Sequence, residues 1–205
     1  MPQPENSQRP LVFVYADESC LGNQFKSRAR PGGAGGMAEY HHPERGWVRR
    51  DYWTSERDTT NNRMALVSAI DLLGALRTPS RVVFTSDSRY LIDGITEWVH
   101  GWAARGWRRK GGEIENLELW TSLVETAPRH EIQWVWVKGH AGHPQNEYAN
   151  FLATRAAAEQ TESGGLVPSG FDEWMDAERR KGHFANFAPP IPGAFAFREG
   201  RRPPG

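Results

Sequence analysis

Two short apolar runs, each followed at once by an acidic residue, constrain the fold of this chain most. They are LVFVYA at 11–16, before Asp17, and RVVFTS at 81–86, before Asp87. Continuous β-branched and aromatic runs are typical of strands buried on both faces. We therefore expect a sheet covered by helices, with the first strand ending at Asp17 and both carboxylates at strand ends, where ligands of such sheets collect.

The remaining periodicity predicts the order βββαβααβα. Candidate strands at 35–40 and 47–55 are joined by HHPERG, whose Pro and Gly suit a hairpin. A helix is predicted at 61–76, capped by Thr60 or Asn61, and another in the ten residues after Asp87, ending near Gly101. A helix at 115–126, a strand at 131–137 and a helix at 144–159 follow. The expected class is α/β (α+β), with a five-stranded mixed sheet and helices on both faces.

Composition divides the chain into three parts. We expect a flexible N-terminus at 1–10, a catalytic domain at 11–160 and a C-terminal extension at 161–205. The extension contains a short helix near FDEWMDAERRKG, with Ser169 as a plausible cap, and a Pro/Gly-rich tail after Phe187 that we expect to be poorly ordered.

The start of the chain lacks the zones of a secretory signal, and no apolar run approaches the roughly 20 residues of a membrane span. The single cysteine, Cys20, excludes an intrachain disulfide and a cysteine-based zinc site. The sequence thus predicts a cytoplasmic monomer with no membrane contact and no obligatory protein partner.

Formal net charge is zero, so a global positive field is excluded as the source of attraction to an acidic partner. Nucleic-acid binding must then come from a local cluster, and RGWRRK at 105–110 provides four cations without an acid.

Asp17 and Asp87 are candidate metal ligands. Neighbouring carboxylates repel each other unless a cation lies between them, and Mg²⁺ and Mn²⁺ take oxygen ligands. Separately, each residue has a structural alternative, since Asp17 can stabilise a turn and Asp87 can cap the following helix.

Four separated motifs resemble type 1 ribonuclease H, the bacterial ribonuclease HI family. They are DESCLGN at 17–23, TTNNRM at 59–64, TSDSRY at 85–90 and KGHAGHPQNE at 138–147. The resemblance runs from about Val12 to Ala158 in the order of elements given above. It implies an endonuclease that hydrolyses the RNA strand of RNA–DNA hybrids to 5′-phosphomonoesters, with two metal ions on four carboxylates and a histidine in a mobile loop.

Two of the family's site positions are altered here. Asp17 and Asp87 match the first and third carboxylates, and His140 matches the loop histidine. The helix glutamate is replaced by Ala65 and the last aspartate by Asn150. Alanine cannot ligate metal, whereas asparagine can, as a neutral ligand through its amide oxygen.

Glu18 is the candidate replacement. The pair Asp17-Glu18 resembles type 2 ribonuclease H, in which consecutive Asp-Glu residues end the first strand. Because neighbouring side chains in a strand face opposite ways, both reach one site only if the strand ends or bulges at Asp17. The expected site is therefore Asp17, Glu18, Asp87 and Asn150. One alternative is that Glu18 is solvated and the chain is an inactive hybrid-binding protein. The other is a transposase-like DNA nuclease, which is disfavoured by the polar residues expected at the minor groove and named below.

Further residues match the family's substrate-binding positions. Those expected at the minor groove are Cys20, Asn23, Asn61 and Asn62, and Thr60 matches a DNA-phosphate contact, although Asp58 stands where the family has arginine. The basic protrusion is matched by Trp98, Trp102, Arg105, Trp107, Arg108, Arg109 and Lys110. Caps are the alternative for the asparagines, and packing is the favoured role of Trp98 and Trp102. For His140 a buried structural role or a metal pair with His143 stays open.

Overall fold

The computed structural model describes residues 9–22, 30–139, 142–188, 196–198 and 200–204. Two of the candidate site residues, Asn23 and His140, lie outside the described residues, as does most of the N-terminal segment. All other candidate positions are described.

The core of the fold is a mixed sheet of six strands in the order β5-β4-β1-β2-β3-β6. The strands are β1 (Leu11–Cys20), β2 (Gly32–His42), β3 (Gly46–Glu56), β4 (Arg81–Ser86), β5 (Glu131–Trp136) and β6 (Val167–Pro168). Strands β1 to β3 form the expected antiparallel meander, while β1, β4 and β5 are parallel. The sixth strand was not expected: β6 pairs with Arg50 and Asp51 of β3.

Within the described ranges, six α-helices accompany the sheet. They are α1 (Asn61–Ala75), α2 (Arg89–Asp93), α3 (Val99–Ala103), α4 (Leu117–Thr126), α5 (Pro144–Glu159) and α6 (Phe171–Arg180). The bounds of α5 agree with the sequence-based expectation, and Thr60 caps α1 by accepting a hydrogen bond from the Arg63 amide at 3.2 Å.

The helix expected after Asp87 is interrupted. A π-turn at Gly94–Trp98 separates α2 from α3. At this turn the backbone lies against the indole of Trp120. The approach is so close that a β-carbon on Gly94 would lie 2.1 Å from the Trp120 ring. Trp120 is fully buried. The π-turn thus occurs where a glycine lets the helix accommodate a large core side chain.

The two faces of the sheet carry separate apolar layers. Val12, Val14 and Ala16 of β1 belong to the layer shared with α1 and α4. Phe13 and Tyr15 belong to the layer shared with α5 and α6. Side chains of a strand alternate between faces, so this pattern assigns the next residues of β1 as well. Asp17 starts from the α5 face and Glu18 from the α1 face.

Helix α5 lies unusually close to the sheet. A β-carbon on Gly33 would lie 2.2 Å from the carbonyl oxygen of Ala153, and one on Gly35 would lie 2.4 Å from that of Ala149. The glycines of GGAGG at 32–36 therefore let the helix backbone pack directly on β2. This contact brings the start of α5 to the acidic end of β1.

The C-terminal extension packs on the α5 face. Phe171 and Met175 of α6 are buried there. The carboxylate of Asp51, on β3, accepts hydrogen bonds from the Tyr148 hydroxyl at 2.6 Å and from the Gly170 amide at 2.9 Å. Burial raises the pKa of Asp51 above its ordinary value. The expectation that Ser169 caps this helix was wrong, because the N-cap residue is Gly170; Ser169 precedes it and accepts a hydrogen bond from the Phe171 amide.

The described part of the tail contacts the sheet, which the expectation of a poorly ordered tail did not include. The amide of Gly200 donates to the carbonyl of Ile132 at 3.1 Å, and the amide of Arg198 donates to the side chain of Gln133 at 2.9 Å. Phe197 packs against the α5-side layer. The outer edge of β5 is therefore contacted by the end of the chain.

Among the described residues, every helix is too short or too polar to cross a lipid bilayer.

Candidate metal centre

The acidic residues lie where β1 and β4 separate. Pairing of β1 with β4 ends at Ala16 and Ser86. Pairing with β2 continues through Glu18 to Cys20. The expectation that β1 ends at Asp17 was therefore wrong, because the strand loses only one of its two neighbours there. The open side leaves a notch in which side chains from both faces can meet.

Asp17, Glu18 and Asp87 converge at this notch. One carboxylate oxygen from each lies within 4.8 Å of the others. Glu18 starts from the face on which Ala65 is fully buried in the α1-side layer. Its longer side chain reaches the notch from that face, so neither a strand end nor a bulge is required. The third carboxylate comes from β1 instead of α1.

The cluster is electrostatically unfavourable by itself. Burial raises the pKa of Glu18 well above its ordinary value, and the neighbouring Asp17 and Asp87 raise it further. A hydrogen bond with Ser88 opposes this shift. The Oε2 atom of Glu18 is buried without a hydrogen-bond partner among the described residues. Buried anions and unsatisfied oxygens are costly, so the arrangement calls for a cation.

Asp17 is held by the first turn of α5. Its Oδ2 atom accepts a hydrogen bond of 3.1 Å from the side-chain amide of Asn146, and its Oδ1 atom accepts one of 2.7 Å from the Glu18 amide. Both Asp17 and Asn146 are buried. These bonds fix the aspartate in one orientation, as expected of a preorganised ligand.

Asp87 is held from the side of β5. The indole of Trp136 donates a hydrogen bond of 3.0 Å to its backbone carbonyl. A β-carbon on Gly139 would lie 2.2 Å from its Oδ2 atom, so the loop that leads to α5 passes directly against the carboxylate. Glycine is the residue that permits this approach.

Asn150 lies on α5, one turn after Asn146, and is half-buried. Residues four apart share a helix face, so its position is compatible with the expected site. Asn146 and Trp136, which contact Asp17 and Asp87, were not among the residues expected from the sequence. Asn146 lies inside the motif KGHAGHPQNE, so the motif itself was the available signal.

The remaining groove residues lie near the N-terminus of α1. Cys20 is half-buried against the α1-side layer, and burial raises the pKa of its thiol to about 11. A thiol in this state is a packing group and a poor nucleophile. Asn61 is exposed, and Asn62 is half-buried.

Thr60 borders a cleft of about 460 Å³ with Asp58 and Arg30. The Asp58 carboxylate accepts a hydrogen bond of 3.4 Å from the Arg30 amide. This places a negative charge in the cleft where the resemblance predicts a phosphate contact.

The cations of the basic segment are exposed, whereas two of its tryptophans are packed. Arg105, Arg108, Arg109 and Lys110 are all exposed. The Trp102 ring centroid lies 5.7 Å from that of Trp120 and 5.9 Å from that of Trp98. Trp102 and Trp107 pack against the core, and Trp98 is 36% exposed. The favoured packing role of Trp102 is consistent with these contacts.

Comparison with known sequences shows similarity to ribonuclease H proteins over most of the chain. The model of the RNase H family matches residues 9–158. The ribonuclease H of Methylococcus capsulatus is 42% identical over 155 residues, which cover 75% of this chain and 94% of that protein. Ribonuclease HI of Vibrio cholerae is 43% identical over 152 residues, which cover 74% of this chain and 91% of that protein.

Comparison with solved structures extends the similarity. The crystal structure of LC9-RNase H1, a type 1 RNase H with the type 2 active-site motif, has a TM-score of 0.86 and 53% sequence identity. The match covers 96% of this chain and 94% of that one, so it includes most of the C-terminal extension. The PFV RNase H domain has a TM-score of 0.61 at 20% identity, covers 74% of this chain and 96% of that one, and shares the fold.

Proposed function

Because this chain belongs to the ribonuclease H family, we propose that it hydrolyses the RNA strand of RNA–DNA hybrids with Asp17, Glu18, Asp87 and Asn150 as its metal site. The observation that carries the proposal is the convergence of Glu18 with the two aspartates. In this proposal, the Glu18 carboxylate takes the place of the helix glutamate that is Ala65 here. The motif named for LC9-RNase H1 supports the same arrangement.

The donor set fits Mg²⁺, or Mn²⁺ in its place. Carboxylate and amide oxygens are the ligands these hard ions prefer. The Oε2 atom of Glu18, which is buried and has no partner among the residues that the structure describes, is one that a cation would satisfy. Two bound divalent ions would supply activation of the attacking water and stabilisation of the departing 3′ oxygen.

The residues of the chain hold and orient the reacting groups. Asp17 and Asp87 are fixed from α5 and β5 and keep the site preorganised. Asn150 adds a neutral oxygen, which lowers the negative charge of the site compared with four carboxylates. His140, next to Gly139, is proposed to move a proton or assist product release, since an unperturbed imidazole titrates near pH 6.5.

Substrate recognition is proposed to use two surfaces. Asn23, Asn61 and Asn62, with Cys20, would sense the minor groove and its 2′-hydroxyls. The exposed cations Arg105, Arg108, Arg109 and Lys110 would contact the DNA backbone through salt-dependent interactions. We expect a monomer with the hybrid as its partner, acting in the reducing cytoplasm that the single Cys20 fits.

The test is metal-dependent cleavage of a labelled hybrid by the wild type and by Glu18→Gln. Glutamine keeps the size of the side chain but cannot carry the negative charge of a carboxylate. We expect cleavage with Mg²⁺ or Mn²⁺ by the wild type and a loss of roughly 100-fold or more in the variant, of the size produced by removing a group that stabilises charge at a reaction centre. Thr126→Val, on α4 away from the notch, is the control. Undiminished cleavage by Glu18→Gln would refute the relocated site.

A double variant tests the relocation directly. Glu18→Gly with Ala65→Glu moves the carboxylate from the strand to the helix on the same face of the sheet. We expect it to recover part of the activity lost in Glu18→Gly alone. If the wild type binds hybrid but cleaves it with neither metal, the chain is a hybrid-binding protein without catalysis.

A further inference from the structure

Asn146 stands out among the buried amides of the molecule. It is 3% exposed and belongs to the first turn of α5. Its NH₂ group donates to Oδ2 of Asp17, while its Oδ1 atom is buried and finds no donor among the described residues. One half of the amide is therefore bonded to a proposed metal ligand, and the other half has no partner within the described part of the chain.

A buried oxygen without a donor needs a reason, because folded proteins satisfy nearly all such atoms. The amide oxygen is bonded to the same carbon as the nitrogen that contacts Asp17, so it lies close to that carboxylate. Divalent ions such as Mg²⁺ keep several of their waters when bound to proteins. The hydration shell of an ion at the notch would supply the missing donor.

We propose that Asn146 is a positioning residue of the metal site, which fixes Asp17 through its NH₂ group and offers its oxygen to the hydration shell of the ion. The inference rests on the proposed function, because it assumes an ion at the notch. It adds a second amide to the site, one helical turn before Asn150.

The fold explains how a helix residue reaches the sheet. The close packing of α5 on Gly33 and Gly35 of β2 brings the first turn of the helix beside β1. Asp17 pairs with Gly35, so the residue that Asn146 holds is the direct neighbour of the contact that sets the helix position. The bond thus depends on rigid elements, which suits the positioning of a ligand.

The experiment measures Mn²⁺ affinity without requiring turnover. Free Mn²⁺ is followed by electron paramagnetic resonance during titration of the full-length wild type, Asn146→Ala and Asn146→Leu. Leucine keeps the volume of the side chain, so it guards against a variant that fails to fold. We expect both variants to bind Mn²⁺ roughly 10- to 100-fold more weakly, the loss found when the partners that orient metal ligands are removed.

Gln145 provides the matched control. It precedes Asn146 on α5, is 2% exposed, and also has a buried amide oxygen for which the described residues provide no partner. Its NH₂ group contacts Glu39 at 3.5 Å, away from the carboxylate notch. Gln145→Ala should keep the Mn²⁺ affinity of the wild type, and all variants should bind hybrid in EDTA with unchanged affinity.

The outcomes separate the two proposals. Unchanged Mn²⁺ affinity in both Asn146 variants would overturn the positioning role while leaving the proposed function intact. An equal loss in Gln145→Ala would also overturn it, because the effect would then be a general disturbance of α5. A wild type that binds no Mn²⁺ would refute the metal site itself and the inference with it.

Discussion

The indole N–H of Trp136 donates a hydrogen bond of 3.0 Å to the backbone carbonyl of Asp87. The guanidinium of Arg89 lies over the face of the same indole ring, 3.7 Å from its centre, so a cation–π contact also holds the ring. The last residue of β5 thereby fixes the backbone at the proposed catalytic aspartate.

Replacing Trp136 with phenylalanine should loosen Asp87 without removing it. The ring stays, but the carbonyl of Asp87 loses its donor. We expect kcat to fall roughly tenfold, equivalent to about 1.4 kcal/mol in the barrier, with little change in KM. Steady-state cleavage of a hybrid measures both, with Trp47→Phe at the far end of the sheet as control. A change in KM alone would contradict a positioning role.

Replacing Gly35 with alanine should push α5 away from the sheet. The new β-carbon would lie 2.4 Å from both the Ala149 oxygen and the Ala153 nitrogen. Backbone cannot yield easily, so we expect a destabilisation of about 1–3 kcal/mol together with weaker metal binding. Urea unfolding measures the first effect. Gly74→Ala is the control, since its β-carbon would meet nothing within 4 Å. Equal stability of the two variants would show that the helix contact is unimportant.

Replacing Asp58 with arginine should strengthen hybrid binding. The change puts a cation into the cleft beside Thr60, where a phosphate contact is proposed and where a carboxylate now lies. We expect roughly tenfold tighter binding at low salt, because a negative side chain next to a phosphate is replaced by a positive one. Fluorescence anisotropy in EDTA measures the affinity. Asp58→Asn should give an intermediate value, and weaker binding by the arginine variant would rule out a phosphate at this cleft.

Removing the exposed cations of the basic segment should change the salt dependence of binding. The variant replaces Arg108, Arg109 and Lys110 together by glutamine. Its slope of log Kd against log salt concentration should be smaller by about 0.7–0.9 for each lost phosphate contact. The control replaces Arg45, Arg77 and Arg180, which are also exposed. An identical slope in both triple variants would mean that only net charge matters.

His130 should make the protein less stable in mild acid. It is buried, its Nδ1 accepts from the Ser80 amide, and its Nε2 bonds the carbonyl of Leu73. Burial lowers the pKa of His130 below its ordinary value, so between the two values the unfolded chain binds more protons. Stability contributed by the neutral ring is complete above about pH 6.5 and is lost as pH falls below it, by up to about 1.36 kcal/mol per pH unit.

The measurement is the free energy of unfolding against pH for the wild type and His130→Gln. Glutamine can keep both hydrogen bonds but does not titrate, so the variant should show a smaller loss below pH 6.5. His41→Gln, on the exposed hairpin, serves as control. Parallel curves for all three proteins would exclude His130 as the titrating group.

Local pattern predicted most elements of this fold, including the bounds of α5 and the position of β4. Asp17 and Asp87 could be placed together because each follows an apolar strand, whereas Glu18 was added through the resemblance of the Asp17-Glu18 pair to type 2 ribonuclease H. Features that depend on distant residues were missed. The π-turn at Gly94 occurs where the helix packs against the side chain of Trp120. Strand β1 continues past Asp17 only because β2 remains paired with it where β4 ends. Neither relation can be read from a window of neighbouring residues.

The extension after α5 reaches both margins of the sheet: β6 lies along β3, and Gly200 bonds to Ile132 of β5. Exposed margins of a sheet present unpaired amides and carbonyls, which are templates for pairing with another molecule. The described part of the last quarter of the chain therefore occupies part of each edge of the sheet. A chain without this extension would leave these parts of β3 and β5 open to pairing with another molecule.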